Sequence, residues 1–216
     1  MKIFIFKYNI IYFFAIYVQL IKNHIELHLK KEDCFDFNNK IKNCNNFEIL
    51  SFSDLKMFTF PEQILNQLNL KQLYFFKTEL DILSTNIGKL SNLTVLWLED
   101  TNIIILPDSV GYLINLKTLY IKKSKITEFP PTFTGCKNLQ NLYVNDSCLI
   151  RLPDNIGDLK NLKNLCILNG NLQCIPKSIE NLINLETLYL SVKNINNILN
   201  FFKNNNKIKE VYINKH

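Results

Sequence analysis

The sequence predicts an α/β solenoid, with a parallel sheet lining its concave side and short helical or 3-10 turns on its convex side. Three observations lead there. The chain is self-similar at a period of 23 residues: Leu93 falls on Leu116, Leu139, Leu162 and Leu185 going forward, and on Leu70 and Phe47 going back. Each copy opens with apolar residues at offsets 1, 4 and 6, as in Leu93, Leu96 and Leu98, which is the alternation of one short strand with a single buried side. Each copy closes with apolar residues at offsets 11, 14, 18 and 21, as in Ile103, Leu106, Val110 and Leu113, and brings the chain back over that side, with Pro107 expected at the favoured first position of a helical turn. One copy cannot hide its own strand, whereas stacked copies make a continuous core.

The repeat is fullest at Leu149-Ile150-Arg151-Leu152-Pro153-Asp154-Asn155-Ile156-Gly157-Asp158-Leu159-Lys160-Asn161-Leu162. This string resembles the I-x-x-L-P-x-x-I-G-x-L-x-N-L repeats of the leucine-rich repeat family, and the resemblance covers residues 47 to 207 in seven copies. It implies a right-handed solenoid with a concave parallel sheet. Such a match is specific for the fold and much less so for what the fold binds.

In chain order, residues 1–22 carry Lys2 and Lys7 and then an uncharged apolar run from Tyr8 to Ile21. The run is shorter than the roughly 20 residues of a bilayer-spanning helix and fits a signal-peptide core, although no small-x-small cleavage site follows. A secreted or membrane-associated protein is the expectation. The alternative is a cytoplasmic one in which this segment packs on the first repeat. Residues 23–216 are expected to form a single domain, with 24–46 an atypical N-terminal cap, 47–207 the seven repeats and 208–216 a terminal strand. In the cap, His24 and His28 have helical metal-site spacing, but the alternation Ile25, Leu27, Leu29 predicts a strand, on which the two would stand about 13 Å apart.

Two polar columns accompany the core. Asn closes each unit at 46, 69, 92, 115, 138, 161 and 184, where its side chain is expected to bond nearby backbone as the chain turns into the next strand. Offset 9 reads Thr78, Thr101, Ser124, Ser147, Gly170 and Lys193. A hydroxyl there can satisfy a buried turn amide, so loosening or an inserted water is expected at Gly170 and Lys193.

Composition narrows the function. The net charge is +6, yet the basic residues are almost all Lys and Arg151 is the only arginine, which argues against base-specific nucleic-acid reading. Of six cysteines, Cys136, Cys148, Cys166 and Cys174 occupy unrelated repeat positions; Cys34 and Cys44 could form a bridge or be two small buried hydrophobes. Three histidines, two of them in the cap, support no catalytic triad, and phosphate-binding glycine motifs are absent. Asp54, Asp100 and Asp146 share offset 8, but Lys77 and Lys123 intervene, against paired-carboxylate chemistry. No enzyme activity, cofactor or metal is expected. The sequons at Asn92 and Asn145 read as chance in an Asn-rich chain.

Offset 5 is the informative column. It reads Ser51, Tyr74, Trp97, Tyr120, Tyr143, Cys166, Tyr189 and Tyr212, outward residues that parallel strands would set in one row about 4.8 Å apart. A tyrosine row can simply cover a sheet. Trp97 and the neighbours Phe76 and Leu168 instead point to a ligand surface, since aromatics with a polar handle concentrate at binding sites. The expected ligand-binding set is therefore Tyr74, Phe76, Trp97, Glu99, Tyr120, Tyr143, Tyr189 and Tyr212, with another protein or peptide as partner and the chain a monomer. Glycan recognition and self-assembly through the last strand are the rival readings.

Overall fold

The computed structural model describes residues 26–29, 47–192 and 207–215. The expectations for residues 1–22, His24, Cys34, Cys44 and Lys193 lie outside them. Within them the chain forms one sheet of nine parallel strands in chain order: β1 (Glu26–Leu29), β2 (Ile49–Ser53), β3 (Gln72–Phe76), β4 (Val95–Glu99), β5 (Thr118–Lys122), β6 (Asn141–Asn145), β7 (Asn164–Leu168), β8 (Thr187–Val192) and β9 (Glu210–Lys215). Every strand pairs with the next at a shift of 23 residues, from Glu26 opposite Ile49 to Thr187 opposite Glu210. The sequence period is thus the register of the sheet.

The core columns explain that register. Leu50, Leu73, Leu96, Leu119, Leu142, Leu165 and Leu188 are fully buried, as are Phe75, Leu98, Ile121, Val144, Ile167 and Leu190 two residues on. Each such side chain contributes roughly 1.5–3 kcal/mol by leaving water. A slip of one residue would turn both columns to the open face, so one register dominates.

The return path runs through 3-10 segments, among them Asp108–Tyr112, Pro131–Gly135, Ile156–Asp158 and Lys177–Asn181. Pro107 and Pro176 precede their turns rather than opening them, extended with ψ of 152° and 145°, whereas Pro131 follows the extended Pro130 and opens its own. The chain is pinned straight just before it coils. Successive 3-10 segments stack so closely that glycine is required, since a Cβ on Gly157 would lie 1.9 Å from the Ser178 carbonyl oxygen and one on Gly111 2.1 Å from that of Thr132.

Four polar features differ from expectation. The closing asparagines do not serve their own turn. Asn92, Asn115, Asn138, Asn161 and Asn184 each donate to a carbonyl in the preceding coil, those of Leu68, Ser91, Ile114, Lys137 and Lys160, at 2.8–2.9 Å. They tie coils together. At offset 9, Ser124 and Ser147 accept from the amides of Ile126 and Leu149 as expected, whereas the buried hydroxyls of Thr78 and Thr101 have no partner among the described residues. An unpartnered buried hydroxyl carries a desolvation cost. Thr101→Val should therefore stabilise the fold by about 1 kcal/mol, read as a higher urea midpoint. Gly170 does not loosen the stack, because the amides of Asn171 and Gln173 still donate to Leu149 and Ile150 of the coil before.

Offset 8 carries the fourth. Asp54, Lys77, Asp100, Lys123, Asp146 and Asn169 all have positive φ, between 47° and 56°. This left-handed residue ends each strand and swings the chain off the sheet, while its amide donates to the next coil, as Asp100 N–H does to the Lys122 carbonyl at 2.9 Å. Asp and Asn tolerate the conformation better than other non-glycine residues, so the three aspartates serve a turn.

Candidate functional site

Because adjacent strands differ by one full repeat, offset 5 forms a single row across the sheet. Ser51, Tyr74, Trp97, Tyr120, Tyr143, Cys166, Tyr189 and Tyr212 are paired in succession from β2 to β9. All eight expected ligand-binding residues lie on this concave face. They do not behave as a uniform row.

At the β3–β4 end, Tyr74, Phe76 and Trp97 form a cluster. Ring centroids lie 5.7 Å apart for Tyr74–Phe76, 6.2 Å for Tyr74–Trp97 and 5.8 Å for Phe76–Trp97. On its other side Trp97 stacks on Tyr120, with centroids 3.7 Å apart and planes inclined by 22°. Trp97 Nε1–H donates to Glu99 Oε2 at 3.1 Å, and Lys122 Nζ holds Glu99 Oε1 at 3.0 Å. Trp97 thus has one side against a ring, the other against two tilted rings, and a fixed polar edge. Glu99 is occupied in holding it. Glu99, expected as a ligand contact, gives one oxygen to the tryptophan and one to the lysine and stays partly exposed.

Tyr120 also departs from expectation. It lies in the row, but Trp97 on one side and Tyr143 on the other, at 5.9 Å, cover it to 5% exposure. Burial pushes its phenol far above the usual range, with the Glu99 carboxylate adding to the effect and Asn145 opposing it. Tyr120 is therefore the floor on which Trp97 rests. Burial, with Cys166 adding, likewise raises the Tyr143 phenol.

Beyond Tyr143 the row dips. Cys166 is 3% exposed, and its thiol, pushed up to about 12 by burial, donates to Asn145 Oδ1 at 3.5 Å. Asn145 also accepts the Leu168 amide at 3.2 Å, so its sequon side chain is buried and engaged. After the dip stand Tyr189 and Tyr212, 6.2 Å apart, with Tyr189 Oη donating to Glu210. Beside the row runs an amide chain in which Asn164 donates to Asn141 at 2.6 Å and Asn141 to Thr118 at 3.1 Å.

Charge gathers at the strand entrances. Lys71 pairs with Glu48 and Lys209 with Glu186. Lys117 and Lys163, at the entrances of β5 and β7, are exposed and form no ion pair among the described residues. A groove of about 560 Å³ lies between Lys71 and Lys117, with Asn92, Thr94 and Asn115 in its lining. Among the described residues, no three His, Cys, Asp or Glu side chains gather as metal ligands would, and no helix is long and apolar enough to cross a membrane. Cys136, Cys148, Cys166 and Cys174 are free thiols.

Sequence reasoning found the row and missed its grain. The covering of Tyr120 depends on which way the neighbouring rings lie, and the column pattern is silent on that. A second apolar feature was also missed: Phe58, Ile82, Ile104 and Ile105 are more than half exposed at the edge beyond the strand ends. Its only signal is that Ile82 and Ile105 occupy the same offset in adjacent copies.

A family model described as a leucine-rich repeat region matches residues 53–215. Among solved structures, the chain is similar to a leucine-rich repeat protein of Leptospira interrogans, at 29% identity and a TM-score of 0.71 over 79% of this chain and 44% of that one. It spans less than half that protein's length. The leucine-rich repeat domain of the type III effector XopL is similar in fold at 16% identity, with a TM-score of 0.68 over 88% of this chain and 76% of that one. No curated protein sequence matches the chain. Leucine-rich repeat regions generally serve protein interaction. From the single 23-residue register of its sheet and from this match, the chain belongs to the leucine-rich repeat family.

Proposed function

We propose that the protein is a non-catalytic recognition module that takes a peptide or protein segment on the aromatic strip of its concave face. The supporting observation is the Trp97 cluster: large rings that remain partly exposed are held in place before any partner arrives, by stacking on Tyr120 and by the Glu99–Lys122 pair. Preorganised aromatics lose little freedom on binding and make the usual hot spots of an interface. A role without chemistry fits the same geometry. The carboxylate in the strip is engaged twice, and its phenols and thiol are driven toward their neutral forms.

The glycan reading has less support, because sugars stack on open ring faces and both faces of Trp97 already meet other rings. We further propose that residues 1–22 direct the protein out of the cytoplasm, which mass spectrometry of the mature N-terminus after fractionation would test. For the binding role, a random displayed peptide library should yield sequences that bind the wild type and lose binding to Trp97→Ala, with the circular dichroism of the variant unchanged. A library enriched equally on both proteins, or on neither, would overturn the proposal.

A further inference from the structure

The strip has two separate ends, and their separation carries information about what it takes. Its first end is the Tyr74–Phe76–Trp97 cluster on β3 and β4; its second is the Tyr189–Tyr212 pair on β8 and β9. Between them Tyr120 is covered, Tyr143 is partly buried, and Cys166 leaves the row one ring short. Large apolar contact is therefore available at the two ends, with a shallow dip over β7.

We propose that the strip takes an extended peptide running across the strands, whose two large apolar side chains stand six residues apart and rest on these two ends. This rests on the peptide-binding reading above. From Trp97 on β4 to Tyr189 on β8 there are four strand steps, about 19 Å at roughly 4.8 Å each. An extended chain advances about 3.3 Å per residue, so six residues cover about 20 Å, while four cover about 13 Å and eight about 26 Å. Parity adds a second condition. Side chains of an extended peptide alternate in direction, so residues i and i+6 face the sheet together, and i and i+5 or i+7 cannot. Residue i+4 then lies over β7, where the small Cys166 side chain leaves room for a side chain of modest size.

The flank selects charge. Lys117 and Lys163 stand beside the middle of the path, two strands or about 10 Å apart; the strand-entrance carboxylates Glu48 and Glu186 are already paired with Lys71 and Lys209, and Glu210, at the far anchor, accepts from Tyr189. Acidic residues between the anchors complete this arrangement, and basic ones oppose it. The occupant is an acidic extended segment with two apolar anchors.

The test uses synthetic twelve-residue peptides with two leucines on a Ser/Glu background, spaced four, five, six, seven or eight residues apart. Each is titrated with the full chain by fluorescence polarisation. Binding should be tightest at six and at least tenfold weaker at five and seven, Tyr189→Ala should erase the advantage of six, and replacing Glu by Lys in the six-spaced peptide should weaken it several-fold. A flat series, a different optimum, or no binding by any member overturns the two-anchor geometry. The broader reading is judged separately: if library selection still returns Trp97-dependent peptides, it stands without this spacing, and if it returns none, both fail.

Discussion

Gly157→Ala should be among the most damaging single substitutions in the repeats, lowering stability by about 3 kcal/mol, at the upper end of what overpacking usually costs. The reason is not backbone conformation, since no described glycine has positive φ. It is proximity: the new methyl would sit 1.9 Å from the Ser178 carbonyl oxygen and 2.8 Å from Asn181 Cβ, and backbone cannot swing aside as a side-chain tip can. The two 3-10 turns would have to part, loosening Gly157 N–H from Ser178 Oγ and the coil beneath from its neighbour. With a urea dependence of about 2 kcal/mol per molar, the midpoint should fall by about 1.5 M. Gly170→Ala is the control. Its nearest neighbours would be 3.6 Å away, so it should be neutral or slightly stabilising through reduced unfolded-state entropy. Equal effects at the two sites would mean that the convex turns are not packed as described.

The second large effect is on binding. Trp97→Ala should weaken a strip-bound peptide by at least about 2 kcal/mol, roughly thirty-fold, as truncation of a central aromatic hot spot does. It should also cost the fold about 1 kcal/mol, because Tyr120 loses the ring stacked 3.7 Å above it. Trp97→Phe separates the two contributions. It retains a ring over Tyr120 while removing the Nε1–H that Glu99 accepts, and Glu99 keeps Lys122. Stability should then be near that of the wild type, with binding intermediate. Isothermal titration with a library-selected peptide, beside urea unfolding of each variant, reads both quantities.

How much of this could be read from the sequence depends on what repeats. Inward leucines such as Leu96, Leu119 and Leu142 recur because each coil buries the same position, so strands, register and the aromatic row all follow from one period. Contacts between coils are harder to see. Asn115 reads as a turn residue until its partner proves to be the Ser91 carbonyl one coil back. Lys77 and Lys123 give no hint of left-handed backbone; only the Asp and Asn at the same offset do, and in the sequence the three aspartates show only as carboxylates separated by lysines. Gly111 and Gly157 look like ordinary turn glycines, while their necessity lies in a carbonyl of the following coil. In the candidate site the same limit applies. That Tyr120 is floor and Trp97 is surface depends on ring orientation, and Glu99 reads as a free carboxylate until its neighbours on β4 and β5 are placed.

Trp97 is the only tryptophan in the chain, so its fluorescence reports on the strip and nothing else. The most direct measurement is acrylamide quenching of that fluorescence, with the protein free and then saturated by a library-selected peptide. Binding on the concave aromatic strip should lower the quenching constant at least twofold and shift the emission to shorter wavelength as water leaves the ring. A fully occupied protein whose quenching and emission are unchanged would place the partner elsewhere and contradict the account.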